Sequence, residues 1–165
     1  MRKYMFALLL HLVTVVGFSQ TSTEDVTKKT VDLIKDAATN FTENTGDKQS
    51  DNLKNNVAFY NSKTLFGSTA EGIIMLDNDT KKKVFMCNFK QDPNANANIE
   101  VLKIYIAWSQ TINSMGQTNG YTYLRKPGDN PAIGGFVETL RDAQGKLRVL
   151  IKNNMTEKSI NIFGR

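Results

Sequence analysis

The sequence contains one histidine, His11, and one cysteine, Cys87. His11 lies inside an N-terminal leader, so the rest of the chain has no imidazole. Ser-His-Asp and Cys-His catalysis, His-ligated zinc and histidine-based pH switching therefore lack their central residue. A lone thiol cannot form an internal disulfide, a CxxC redox couple or a cysteine zinc site. Proline is limited to Pro93, Pro127 and Pro131. Beyond the leader no apolar run reaches the ~20 residues of a spanning helix. No internal repeat, linker or second domain is visible in the sequence.

Arg2 and Lys3 precede an uncharged stretch, Tyr4 to Phe18, rich in Leu, Val, Met and Phe, and Gly17, Ser19 and Gln20 follow the pattern of a cleavage site. Residues 1–20 read as a secretory signal peptide, with the mature chain starting near Thr21; a retained anchor is the alternative. No cysteine near the cleavage point could carry a lipid there. The ending Phe18-Ser19-Gln20, followed by an Asn- and Lys-rich chain, resembles exported bacterial proteins, which implies a periplasmic or extracellular location. Removing the leader leaves 145 of 165 residues, suited to one domain. Lys plus Arg then falls from 21 to 19 against 16 Asp plus Glu, a net +3. So small a total gives no argument for nucleic acid or membrane binding.

Thr21 to Phe41 reads as an amphipathic helix. Thr21 and Glu24 fit a capping box, and Val26, Thr30, Leu33, Ile34, Ala37 and Phe41 form one stripe at helical period. Asp47 to Asn56 reads as a loop; Val57 to Leu65 fits a strand or a helical turn. Gly72 to Phe89 reads as a hairpin around Asp77-Asn78-Asp79-Thr80, with Phe85, Cys87 and Phe89 on one face. Ile99 to Trp108 is the longest strand candidate. Both of its faces are apolar, as in a central strand covered on two sides. Tyr121 to Leu124 and Ser159 to Phe163 read as short strands. Phe136 to Lys152 is a hairpin whose turn, Asp142 to Lys146, fits a type I turn with Gly145 at positive φ. That turn implies 137 opposite 151 and 139 opposite 149, with Glu138 on the mixed outer face. The whole is an α+β domain over 21–165, with a helix at about 21–41 packed on an antiparallel sheet of five or six strands at about 57–163. A two-sheet β-sandwich is the alternative.

Asp77 and Asp79 fall short of a calcium loop, since Lys81 and Lys82 stand where a ligand and a glycine are needed. Lys81, Lys82 and Lys83 could meet phosphates or an anionic lipopolysaccharide surface, or form a solvated hairpin tip. Tyr105, Trp108, Tyr121 and Tyr123 surround one loop. Tyr105, Tyr121 and Tyr123 are candidates for sugar stacking or a protein contact, and Trp108 for the core. Glu100 and Glu138 are the candidates for a catalytic carboxylate pair. No residue set calls for a cofactor or a metal. The expected function is an exported, non-catalytic protein that binds a protein or surface polymer, and not nucleic acid. The alternatives are a carbohydrate-binding module using exposed tyrosines and a histidine-free enzyme.

Overall fold

The computed structural model describes residues 22–67, 70–89, 95–118, 120–128, 135–154 and 158–165. The leader, Thr21 and its capping role lie outside them. The first helix, α1 (Thr23–Asp36), is capped instead by Ser22, whose hydroxyl accepts from the Asp25 N–H at 3.0 Å. Glu24 and Asp25 sit at its positive end and Lys35 in its last turn. The apolar stripe is buried as its spacing implies: Val26, Leu33, Ile34, Ala37 and Phe41 all enter the core. Thr30 joins them because its hydroxyl donates to the Val26 carbonyl at 2.7 Å. A 3₁₀ turn, Ala37–Thr39, and two left-handed residues, Asn40 and Phe41 (φ 58° each), then reverse the chain.

Eight strands follow, where five or six were expected: β1 (Thr45–Asn52), β2 (Val57–Ser62), β3 (Ala70–Asp77), β4 (Lys83–Phe89), β5 (Tyr121–Pro127), β6 (Phe136–Asp142), β7 (Leu147–Asn153) and β8 (Lys158–Phe163). They form one antiparallel sheet in the order β1-β2-β3-β4-β8-β7-β6-β5, not a sandwich. The segment read as a loop from Asp47 holds most of β1. Its polar composition hid a strand because β1 is an edge, largely exposed and broken by two register shifts. Charges and bulges of this kind protect a sheet edge from further pairing.

The largest correction is Ile99 to Trp108, which belongs to a second helix, α2 (Ala95–Gly116), and not to a strand. Val101, Ile104, Tyr105, Ala107, Trp108 and Ile112 are its buried residues, at helical spacing. Each half of the fold is thus one helix followed by four consecutive antiparallel strands, and the halves join where β4 pairs with β8. This structural repeat has no counterpart in sequence.

Side chains opposite one another across an antiparallel pair share a face. One face carries Ile74, Phe85, Cys87, Ile160, Ile162, Val149, Ile151 and Leu140, all fully buried under the helices. The other carries Ile73, Met86, Asn161, Leu150, Thr139 and Leu124 in one row. Four of these six are apolar, and the row is only partly buried, with Leu124 57% exposed, so this face meets solvent.

The hairpin turn between β6 and β7 matches expectation, with Gly145 at φ 74° and its N–H donating to the Asp142 carbonyl at 2.8 Å. The register beyond it does not. Leu140 pairs with Val149 and Arg141 with Leu147, so Arg148 is bulged out of the ladder. The bulge aims Arg148 at Asp142, its Nε and a terminal nitrogen 2.7 and 2.6 Å from the same carboxylate oxygen. Its second effect is to place Glu138 opposite Ile151, inside the core and not on the outer face.

Cys87 shares its covered face with Phe85 and Phe89, as expected, and is fully buried. Native protein is therefore expected to resist a thiol reagent. In a Cys87→Ala background, cysteine placed one residue earlier, at Met86, should label rapidly, because Met86 lies on the opposite face. Equal labelling of the two positions would contradict the assignment of faces.

Candidate functional site

The bulge at Arg148 produces the most unusual side-chain environment in the molecule. Glu138 has no solvent exposure. Its Oε1 accepts from the Tyr105 hydroxyl at 2.6 Å. Its Oε2 accepts from Ser109 at 2.6 Å and from Tyr123 at 2.9 Å. Arg125 Nε lies 4.0 Å from Oε1, and the Arg125 guanidinium carbon sits 3.9 Å above the Phe136 ring. A carboxylate only accepts, and here hydroxyls donate to both of its oxygens. Tyr105 and Ser109 are four residues apart on α2 and so reach the sheet from one side of the helix. Gly116, at the end of α2, makes room for Tyr123, which an added Cβ would strike.

Both tyrosines ionise later than an ordinary phenol. Burial pushes Tyr123 up to about 12, assisted by its hydrogen bond to Glu138. Tyr105 is raised by the same two causes in the same order. The unfolded chain ionises its tyrosines near pH ~10, before Tyr123 does in the fold. The contribution of Tyr123 to stability is therefore complete below pH ~10 and is lost as pH rises toward 12. Urea midpoints measured through this range should fall, and the fall should be shallower in Tyr123→Phe. An identical alkaline decline in the variant would show that Tyr123 is not the group responsible.

Chemically the cluster is a clamp. It joins α2 to β5 and β6, and hydroxyl donors already occupy both carboxylate oxygens. Glu100, the other candidate acid, lies about two and a half turns before Ser109, ~13.5 Å along the helix axis. Among the described residues no group of three or more metal-ligating side chains occurs. The buried indole N–H of Trp108 is the one buried side-chain polar atom among them with no hydrogen-bond partner. Trp108 itself is core, as expected, packed edge-on against Phe66 with ring centroids 5.1 Å apart.

Tyr105 and Tyr123 are thus brought together, on Glu138. Tyr121 lies on the same face of β5 and packs half-buried against the core. Lys81, Lys82 and Lys83 lie elsewhere, at the β3–β4 turn. Lys81 and Lys82 are exposed, while Lys83 reaches inward and donates to the Thr45 hydroxyl at 2.9 Å. Asn40 fastens the turn, donating to the Lys81 carbonyl and accepting from the Lys83 N–H, both at 2.8 Å.

A third feature was invisible while the segment read as a strand. Ile99, Leu102 and Ile106 recur at offsets 0, 3 and 7 along α2, on the side away from the core, and are 53%, 47% and 40% exposed. Leu65, 52% exposed, comes from the segment that packs along α2 through Phe66 and Gly67. Lys103, Gln110, Asn113 and Ser114 share this outer side, so the three apolar residues form a short bare stripe among polar ones, where an amphipathic helix ordinarily turns only polar groups to water. Ser109 and Arg125 were likewise missed. Helical spacing from Tyr105 to Ser109 was the signal, and it carries meaning only once the segment is taken as a helix.

Compared with protein-family models, with curated proteins and with solved structures, the chain matches none.

Proposed function

We propose that the protein is an exported, non-catalytic interaction module whose docking surface for a protein partner is the outer side of α2. The observation that carries this reading is the bare stripe of Ile99, Leu102 and Ile106. The sequence of this segment is that of an element covered on two sides, and the fold covers it on one. Exposed large apolar groups in a contiguous row mark interaction sites, and half-solvated side chains on an antiparallel sheet face do not. The tyrosines support the same preference. Tyr105 and Tyr123 spend their hydroxyls on Glu138, and Tyr121 packs on the core, so none is free to present a stacking platform to a sugar. Export rests on the leader, and the lack of imidazole and of a second thiol outside it supports a non-catalytic role.

The test compares affinity capture from the native envelope by the wild-type protein and by Leu102→Asp/Ile106→Asp. Both positions are solvent-facing, so the urea midpoint should hold. A specific partner retained by the wild type should drop by roughly tenfold or more, as when central interface anchors are lost. Recovery of the same proteins by both forms would sink the assignment.

A further inference from the structure

The turns at one end of the sheet point to a second surface, separate from α2. The strand registers place them together: Val57 at the start of β2 lies opposite Asp77 at the end of β3, Leu76 opposite Lys83, Val84 opposite Phe163, and Val149 opposite Ile162. The β1–β2, β3–β4 and β6–β7 turns and the segment after β8 therefore share one end. Hydrogen bonds tie the first two turns directly, Asn78 N–H to the Asn56 carbonyl at 3.0 Å and Asn56 Nδ2 to Asp79 Oδ1 at 2.5 Å. Gly164 donates to the Lys83 carbonyl at 2.9 Å, which holds the last residues beside the β3–β4 turn.

This end combines two features that rarely coincide. Leu53, at the tip of the β1–β2 turn, is 91% exposed, the barest large apolar side chain among the described residues. Of the exposed cations, Lys54 shares its turn, and Lys81 and Lys82 stand in the turn hydrogen-bonded to it. Lys146 and Arg165 lie farther along the same end, the β6–β7 turn five strand spacings or ~24 Å from the β1–β2 turn. The acids of this end are engaged by neighbouring groups, Asp51 by Lys48 at 2.7 Å among them. Asp77 Oδ1 accepts from the Asp79 and Thr80 N–H groups, and Asp79 holds Asn56. Asp142 holds Arg148 and the N–H groups of Gln144 and Lys146. The exposed Lys146 ammonium is depressed below the usual lysine range, by the slight loss of hydration at the surface first and then by Arg148, Lys82 and Arg165, with Asp142 opposing. Cations from three separate segments are thus close enough to repel one another.

We propose that this end of the sheet docks on the surface of an anionic, phosphate-bearing lipid bilayer, with Leu53 entering the interfacial region and the lysines and Arg165 meeting headgroup phosphates. A soluble anion would have no use for a bare leucine on a turn tip, and a bilayer surface receives an apolar tip and a row of cations at once. The small net charge of the chain does not oppose this, because headgroups sense the local cluster within about a Debye length of ~8–10 Å. No helix among the described residues is long and apolar enough to cross a membrane, so the contact is peripheral. It leaves the outer side of α2 free, and the two proposals stand independently.

The experiment is co-sedimentation of the purified protein with vesicles of phosphatidylcholine alone and of phosphatidylcholine with phosphatidylglycerol. Binding is expected only with the anionic lipid and should weaken as salt is raised. Each cation removed near the surface should cost about fivefold. Lys81→Gln/Lys82→Gln/Lys146→Gln should therefore bind on the order of a hundredfold more weakly, while the corresponding Lys→Arg triple retains binding and Leu53→Ser loses several-fold. Leu102→Asp/Ile106→Asp should bind vesicles as the wild type does. Equal binding to neutral vesicles, no binding to either, an unaffected Gln triple, or full displacement by inorganic phosphate at matched phosphate concentration would each overturn the proposal.

Discussion

Glu138→Ala is expected to lower the unfolding free energy by about 3–5 kcal/mol, the sum expected when three hydroxyl donors, two of them only partly buried, lose their acceptor at about 1–3 kcal/mol each. The truncation would strand the hydroxyls of Tyr105, Ser109 and Tyr123, which donate to the two carboxylate oxygens. It would also remove the counter-charge beside Arg125. That ion pair contributes the least, because Arg125 is 44% exposed at its side chain and screened by water. Glu138→Gln keeps the shape but turns an NH₂ toward hydroxyl donors, at a cost of about 1–3 kcal/mol. Urea denaturation of both variants checks the series. A loss below ~1 kcal/mol for the alanine variant would mean that the cluster does not fasten α2 to β5 and β6.

The second large effect falls on Trp108, fully buried between Phe66 and Phe89. Trp108→Ala should cost about 3–5 kcal/mol through lost burial and the cavity left behind. Trp108→Phe should cost far less, because it also deletes the indole N–H that finds no acceptor. The same helix supplies the contrast. Ile104 is fully buried and Ile106 is 40% exposed. Ile104→Ser should be severe and Ile106→Ser within ~0.5 kcal/mol of wild type. A strand from Ile99 to Trp108 would put both residues on one face and make the two substitutions equally damaging.

The fold was legible in sequence where a local signal had one meaning. The stripe of α1, the Asp77–Thr80 turn and the Asp142–Gly145 turn each specify their structure through short-range chemistry, and each is found. The covered face of β4 and the shared face of Ile160 and Ile162 on β8 followed from alternation alone. The sequence misled where a signal had two readings. From Ile99 to Trp108 apolar residues satisfy periods of 2 and of 3.6 together, because Ile99, Leu102 and Ile106 add apolar positions on the outer side of α2. Strand β1 is polar because it is an edge, and polarity alone reads as loop. The register of β6 and β7 turned on one residue, Arg148, whose bulge serves a long side chain reaching for Asp142. Turn chemistry does not report that contact.

These misreadings also hid the clamp and the exposed apolar stripe of α2. With Glu138 placed on the outer face, nothing required a partner for it, and with the Ile99 segment extended, Tyr105 and Ser109 would stand ~13 Å apart, too far to share one carboxylate. Taken as a helix, the segment brings both hydroxyls to one carboxylate and leaves Ile99, Leu102 and Ile106 in a row facing water. The signal that suggested a doubly covered strand, apolar groups on both sides, is the observation on which the proposed partner cover rests.

The claim that this cover is a partner protein is tested most directly by site-specific photo-crosslinking in the native envelope. One probe replaces Leu102 on the outer side of α2, and the other replaces Thr122, exposed on the opposite face of the sheet. A discrete adduct to one protein from position 102, with none from position 122, is the expected result. Adducts from position 122 alone, or none from position 102, would contradict the account.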